Sequence, residues 1–177
     1  MNSDFRATRP EADEYLEYYG RYISRVPDGD IVATLQKQLP ETIAFLRSIP
    51  ESRLDYRYAP GKWTPRQIVG HLSDGERVFQ YRAFRFSRAD DTPVPGFDEN
   101  LYVANAPFEN VSMSDLIDEL EQLRNSSVHL FRNMNEEAMS RRGSANGAEV
   151  SVRALAWIMA GHETHHMQVL REKYLKD

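Results

Sequence analysis

Three segments of this chain open with the same helix-start signal, and that repetition constrains the fold more than any other feature. In Trp63-Thr64-Pro65-Arg66-Gln67-Ile68, Thr64 stands as N-cap, Pro65 at the first helical position and Gln67 three residues on, where its side chain closes a capping box. Trp63 and Ile68 flank the cap at the spacing of a hydrophobic staple. Val111-Ser112-Met113-Ser114-Asp115-Leu116 repeats the logic, with Ser112 as cap and Val111 and Leu116 as staple. Val150-Ser151-Val152-Arg153-Ala154-Leu155 repeats it again without the acidic partner.

The apolar periods that follow each start agree with helices packed side by side. After the first, Ile68, Leu72, Gly75, Phe79, Arg82 and Phe86 form one seam; after the second, Leu116, Leu120, Leu123, Ser127, Leu130 and Met134; after the third, Leu155, Met159, His162, His166 and Val169. An earlier helix is expected over Asp30–Ser48, kinked or divided at Pro40. A short tyrosine-rich helix is expected around Ala12–Ile23, packed on the outside. The best strand candidate is the turn-flanked piece Arg141–Val150, with Asn146-Gly147 as its turn. The link from Ala89 to Glu109, with Pro93, Pro95, Gly96 and Pro107, is long enough to run the length of a bundle, so the second and third long helices can lie parallel. The expected fold is therefore all-α: a single-domain four-helix bundle over 1–177, up-down-down-up, with one long crossover and a short N-terminal helix.

Composition narrows the chemistry. There is no cysteine, which excludes disulfides, thiolate ligands and a cysteine nucleophile, and fits a reducing, cytoplasmic setting. No apolar stretch has the length of a signal peptide core or a membrane span, so neither a leader nor a membrane partner is expected. Net charge is −5 without a basic block, which argues against nucleic acid.

The string His162-Glu163-Thr164-His165-His166 fits the H-E-x-x-H pattern of zinc proteases. Such proteases take a third ligand from well downstream. Only Met167–Asp177 follow here, without histidine, and Glu172 is badly placed on the same helix, so a protease is not expected. His162 and His166 nevertheless share one helix face. Of the remaining histidines, His129 lies on the polar side of its helix, whereas His71 borders an apolar face. His71 is seven residues into its helix, and the His162/His166 pair is about ten from the end of the last one, ~10 and ~15 Å from helix ends that coincide if the two run antiparallel. Three neutral imidazoles at one height would hold a divalent ion and leave a position open for water or substrate. Nitrogen donors suit zinc, nickel, iron or manganese.

Lys62-Trp63-Thr64, His71-Leu72-Ser73-Asp74-Gly75-Glu76-Arg77, Pro95-Gly96-Phe97-Asp98 and Gly161-His162-Glu163-Thr164-His165-His166 together resemble the DinB/YfiT-like superfamily, over about Tyr15–Leu175. The resemblance implies the up-down-down-up bundle, a homodimer, and a divalent metal, usually zinc or nickel, on His71, His162 and His166. It also implies a small-molecule substrate. Relatives include bacillithiol- and mycothiol-dependent transferases, a maleylpyruvate isomerase and many proteins described as metal-dependent hydrolases. A thiol transferase with a bacillithiol, mycothiol or glutathione cosubstrate is the first expectation, with a hydrolase or a non-catalytic metal-binding bundle as alternatives.

Several neighbours are candidates for supporting roles. Glu163 could flank the site as a base. Asp74, Glu76 and His165 could orient a ligand histidine from behind, or simply face solvent. Arg82 sits where the seam calls for an apolar residue, so it needs an acid such as Glu76 or an anionic substrate.

Overall fold

The computed structural model describes residues 5–176. A 3₁₀ turn at Ala12–Glu14 leads into α1 (Glu17–Ile23), followed by α2 (Ile31–Arg47), α3 (Pro65–Ser87), α4 (Glu99–Asn105), α5 (Met113–Arg132) and α6 (Glu136–Ser140). A hairpin of β1 (Arg142–Ala145) and β2 (Ala148–Ser151) then feeds α7 (Val152–Val169), which ends in a π-helical turn, Leu170–Tyr174. All three expected starts form. Thr64 caps the Gln67 amide and receives the Gln67 side chain in return; Ser112 caps Asp115 and Ser151 caps Ala154.

The bundle consists of α2, α3, α5 and α7. Arg77 pairs with Glu119 and Gln80 with Ser126, so α3 and α5 advance together and are parallel. Arg47, at the end of α2, meets Asp118 early in α5, which makes that pair antiparallel. The Tyr174 hydroxyl, beyond α7, donates to the carbonyl of Trp63, which precedes α3, while His71 meets His162. α3 and α7 therefore run antiparallel, and the order is up-down-down-up. α3 packs on both α5 and α7, as does α2, which leaves the consecutive helices α2 and α3 diagonal to each other.

Two apolar clusters fill the interior. Along α3 one cluster ends at Leu72 and the other begins at Phe79; along α7 the break lies between Ala160 and Met167; along α5 it lies between Leu120 and Val128. The buried polar residues His71, Glu76, Arg124, Ser127, His162, Glu163 and His166 occupy this gap. The bundle is thus two greasy ends and one polar layer.

Three expectations need correction. Pro40 does not divide α2, which runs unbroken to Arg47; the proline is on the exposed face, where the Gln36 carbonyl that loses its helical donor can reach water. The seam of α5 drifts, with Arg124, Val128 and Phe131 buried while Leu123 and Leu130 are only half-buried, because a straight helix gains on a 3.5-residue repeat. The N-terminal helix is shorter than expected, and it does not merely lie outside: Tyr22 and Ile23 are buried, and Gly161 of α7 permits the approach by leaving room for the Tyr22 carbonyl. The crossover is partly structured, holding α4 and a 3₁₀ turn at Phe108–Asn110, and Val94 pairs in parallel with Ala145 at the hairpin. That hairpin forms at the expected place, with Asn146 and Gly147 at φ 54° and 75°, the turn that matches strand twist.

Candidate metal centre

His71 of α3 and His162 and His166 of α7 meet in the polar layer. His71 Nε2 lies 2.9 Å from His162 Nε2, and His166 Nε2 lies 3.1 Å from the same atom. Ligand nitrogens of the three rings fall within 4.8 Å of one another. Gly75, one turn after His71, makes room: a Cβ there would stand 3.2 Å from His162 Cε1. Trp63 packs against His71 with ring centroids 4.6 Å apart, and Tyr22 meets His162 edge-on at 5.3 Å.

These nitrogens fit a cation better than they fit one another. An imidazole nitrogen carries either one N–H or one in-plane lone pair. His162 Nε2 therefore makes a good hydrogen bond to one of its two neighbours, not both. Burial also holds the rings neutral, pushing His71 down to about 4. His162 and His166 lie well below the ordinary histidine value, first through burial and then through the other histidines nearby, with Arg124 adding to His162 and Arg21 to His166. Three neutral imidazoles aimed at one point are the donor set a divalent ion takes.

The remaining candidates are placed otherwise. Glu163 is buried, but its carboxylate is committed: Thr42 donates to Oε1 at 2.5 Å, and Arg124 Nη1 stands 2.6 Å from Oε2. Glu76 accepts two bonds from Arg124, at 2.9 and 3.0 Å, and makes no hydrogen bond to a histidine among the described residues. Asp74 is half-buried, 3.7 Å from Arg77, in a surface hollow with Leu101, Tyr102 and Asn105, away from the three rings. His165 is half-buried at the rim, its ring 5.1 Å from that of His166. Arg82 is buried without Glu76; it donates to the Pro95 carbonyl at 3.1 Å.

Arg124, Thr42, Tyr19 and Tyr22 were not legible as site residues. Arg124 is one position off the expected seam, and only the 3.6-residue drift brings it inward. Thr42 looks like an ordinary helix residue. The tyrosines had composition as their only signal.

Two cavities reach the centre. One, of about 360 Å³, is lined by His71, His162, Tyr19, Tyr22, Phe79 and Arg82, and by Phe97 and Glu99 of the crossover. The other, of about 250 Å³, is lined by His166 and His165 with Trp63, Lys62, Tyr58 and Asn100. Glu99 lines the first and its neighbour Asn100, also at the start of α4, lines the second.

Fold and site together define a four-helix bundle with an antiparallel α3–α7 pair carrying a buried histidine trio. The chain belongs to the DinB superfamily, whose model matches residues 34–170. A relative in Oceanobacillus iheyensis, named "Putative metal-dependent hydrolase", is 30% identical over 139 residues, 77% of each chain. One in Bacillus pumilus with the same name is 26% identical over 132 residues, 73% of this chain and 74% of its own. YfiT from Bacillus subtilis, described as a "probable metal-dependent hydrolase with an unusual four-helix bundle topology", superposes with a TM-score of 0.73 over 93% of this chain and 90% of its own, at 19% identity. That likeness concerns the fold. No helix among the described residues is long and apolar enough to cross a membrane.

Proposed function

We propose that this chain is a metal-dependent enzyme in which His71, His162 and His166 hold one divalent ion, zinc or nickel, and that it joins a low-molecular-weight thiol to an electrophilic small molecule. One observation carries the transfer reading: two cavities with different linings open on the histidine trio from different sides, one at His71 and His162 and the other at His166, which gives two substrates separate approaches. A divalent ion there supplies a Lewis acid that keeps a bound thiol ionised near neutral pH. The protein's own part is binding and shielding. Trp63 and Tyr22 pack against the rings and line the two approaches, and His165 and Lys62 line the smaller cavity. No protein base is needed for a thiolate, which agrees with Glu163 being tied to Arg124 and Thr42.

Hydrolysis is the second reading. The names of the relatives favour it, as does Glu99, a carboxylate lining the larger cavity that could handle a proton from water. The test is conjugation of bacillithiol, mycothiol or glutathione to monochlorobimane by zinc- and nickel-loaded protein, with ester and amide cleavage measured in parallel. Conjugation that disappears in His71→Ala and on chelation is expected. Metal-dependent cleavage with no conjugation by any thiol would replace this reading with the hydrolase. Metal binding with neither activity would leave a non-catalytic bundle.

A further inference from the structure

Two arginines are buried in the bundle interior, and they are treated differently. Arg124, 1% exposed, is neutralised by both Glu76 and Glu163. Arg82, 3% exposed, has neutral partners only. One Nη donates to the Pro95 carbonyl, Tyr19 lines the same cavity, and Nε has no partner. A guanidinium has five N–H donors and stays charged, and a buried cation with no anion is costly. Arg82 lines the same cavity as His71 and His162.

We infer that Arg82 binds the carboxylate of a substrate whose reacting end lies at the histidine centre, a reading that rests on the centre being catalytic. The wall between the two ends is aromatic: Phe79 lies 5.9 Å from His162 and 6.5 Å from Tyr19, ring to ring, and Tyr19 lines the cavity together with Arg82. Arg82 and His71 are eleven residues apart on α3, roughly 16 Å of helix rise, and an arginine on a helix leans back toward its N-terminus. The substrate is therefore elongated, with an apolar or aromatic body and an anionic tail. A monoanion fits better than a phosphate, because Arg82 is the only cation lining the cavity among the described residues and Glu99 stands in the same wall. Holding the crossover by way of Pro95 is a structural duty that occupies one donor and leaves the charge unanswered.

The test uses cinnamate, its neutral isostere cinnamamide, and phenyl phosphate, titrated calorimetrically into the metal-loaded protein, Arg82→Met and His71→Ala. Cinnamate is expected to bind about ten-fold tighter than cinnamamide to wild type, as a charge-assisted bond allows, and that preference should survive in His71→Ala and vanish in Arg82→Met. No preference in wild type overturns the inference, and that comparison needs no variant to fold. A preference kept in Arg82→Met but lost in His71→Ala places the carboxylate on the metal and also overturns it. Phenyl phosphate binding ten-fold tighter than cinnamate would overturn the carboxylate assignment. Metal content, measured separately, distinguishes these failures from failure of the metal centre: a protein without metal that still prefers cinnamate through Arg82 sinks the proposed activity and keeps the anion site.

Discussion

Arg124 Nη1 stands 2.6 Å from Glu163 Oε2, and Glu163 is the residue next to His162. Through Arg124, Glu163 of α7 is joined to Glu76 of α3, so one guanidinium from α5 ties together the two helices that carry the histidines. The two carboxylates hold the Arg124 charge against its burial, which alone would oppose it. Arg124→Met leaves both acids buried without a cation. A loss of about 3–5 kcal/mol in urea denaturation at pH 7 is expected, since removing one partner of a buried ion pair costs that much. A loss within the error of the measurement would mean that the layer repacks.

The same bond decides the role of Glu163. A general base in this position would contribute about 10²–10⁴ in rate. Both oxygens of this carboxylate are engaged, one by Arg124 and one by Thr42, and neither accepts a hydrogen bond from a histidine ring among the described residues. Glu163→Gln is therefore expected to keep the proposed thiol conjugation within about three-fold of wild type, well short of what loss of a base would cost, with metal content unchanged. A hundred-fold drop in kcat at full metal occupancy would restore Glu163 as the base.

The bundle was legible because its start signals and seams are local. Thr64, Ser112 and Ser151 each cap within three residues, and the α3 seam is buried from Ile68 through Phe86. The histidine trio was legible because two members share a helix face and the third could be placed by height. What stayed hidden depends on long-range geometry. Arg124 comes inward through helix drift, Tyr22 through a close approach at Gly161, and the acid partner expected for Arg82 went to Arg124 instead. Nothing in the spacing of Glu76, Arg82 and Arg124 says which arginine the glutamate takes.

Without a metal ion at the three histidines, the protein should be acid-sensitive in a defined window. In the metal-free protein burial pushes His71 down to about 4 from 6.5, so the unfolded chain takes up this proton first. Stability is then full above pH 6.5 and falls as pH drops toward 4, by roughly 3 kcal/mol for His71 alone. His162 and His166 add to the loss in the same direction. Urea midpoints in EDTA at pH 7.5, 6 and 4.5 should decline, and His71→Ala should decline less steeply. A flat profile would mean that folding does not oppose protonation of these rings.

Gly161→Ala tests how α1 closes the larger cavity. The added Cβ would run into the backbone carbonyl of Tyr22, which no side-chain rotation relieves. The helix carrying Tyr19 and Tyr22 must shift, at the ~1–3 kcal/mol typical of overpacking. Faster hydrogen exchange confined to Glu17–Ile23 is the expected sign, with α3 and α7 protected as before. Unchanged exchange in α1 would show that α7 moves instead.

Gly75→Ala separates the needs of the helix from those of the centre. By helix propensity alone, alanine in the middle of α3 gains about 1 kcal/mol over glycine. Its Cβ, however, would stand 3.2 Å from His162 Cε1, tighter than ordinary contact, with Phe79 at 3.7 Å behind. The His162 ring must give by a few tenths of an ångström, and it is the ring whose Nε2 meets both other histidines. The variant should therefore be at least as stable as wild type when both are metal-free, yet bind zinc more weakly in a competition with a chelator. If zinc affinity is unchanged, His162 has slack, and the glycine serves only helix packing.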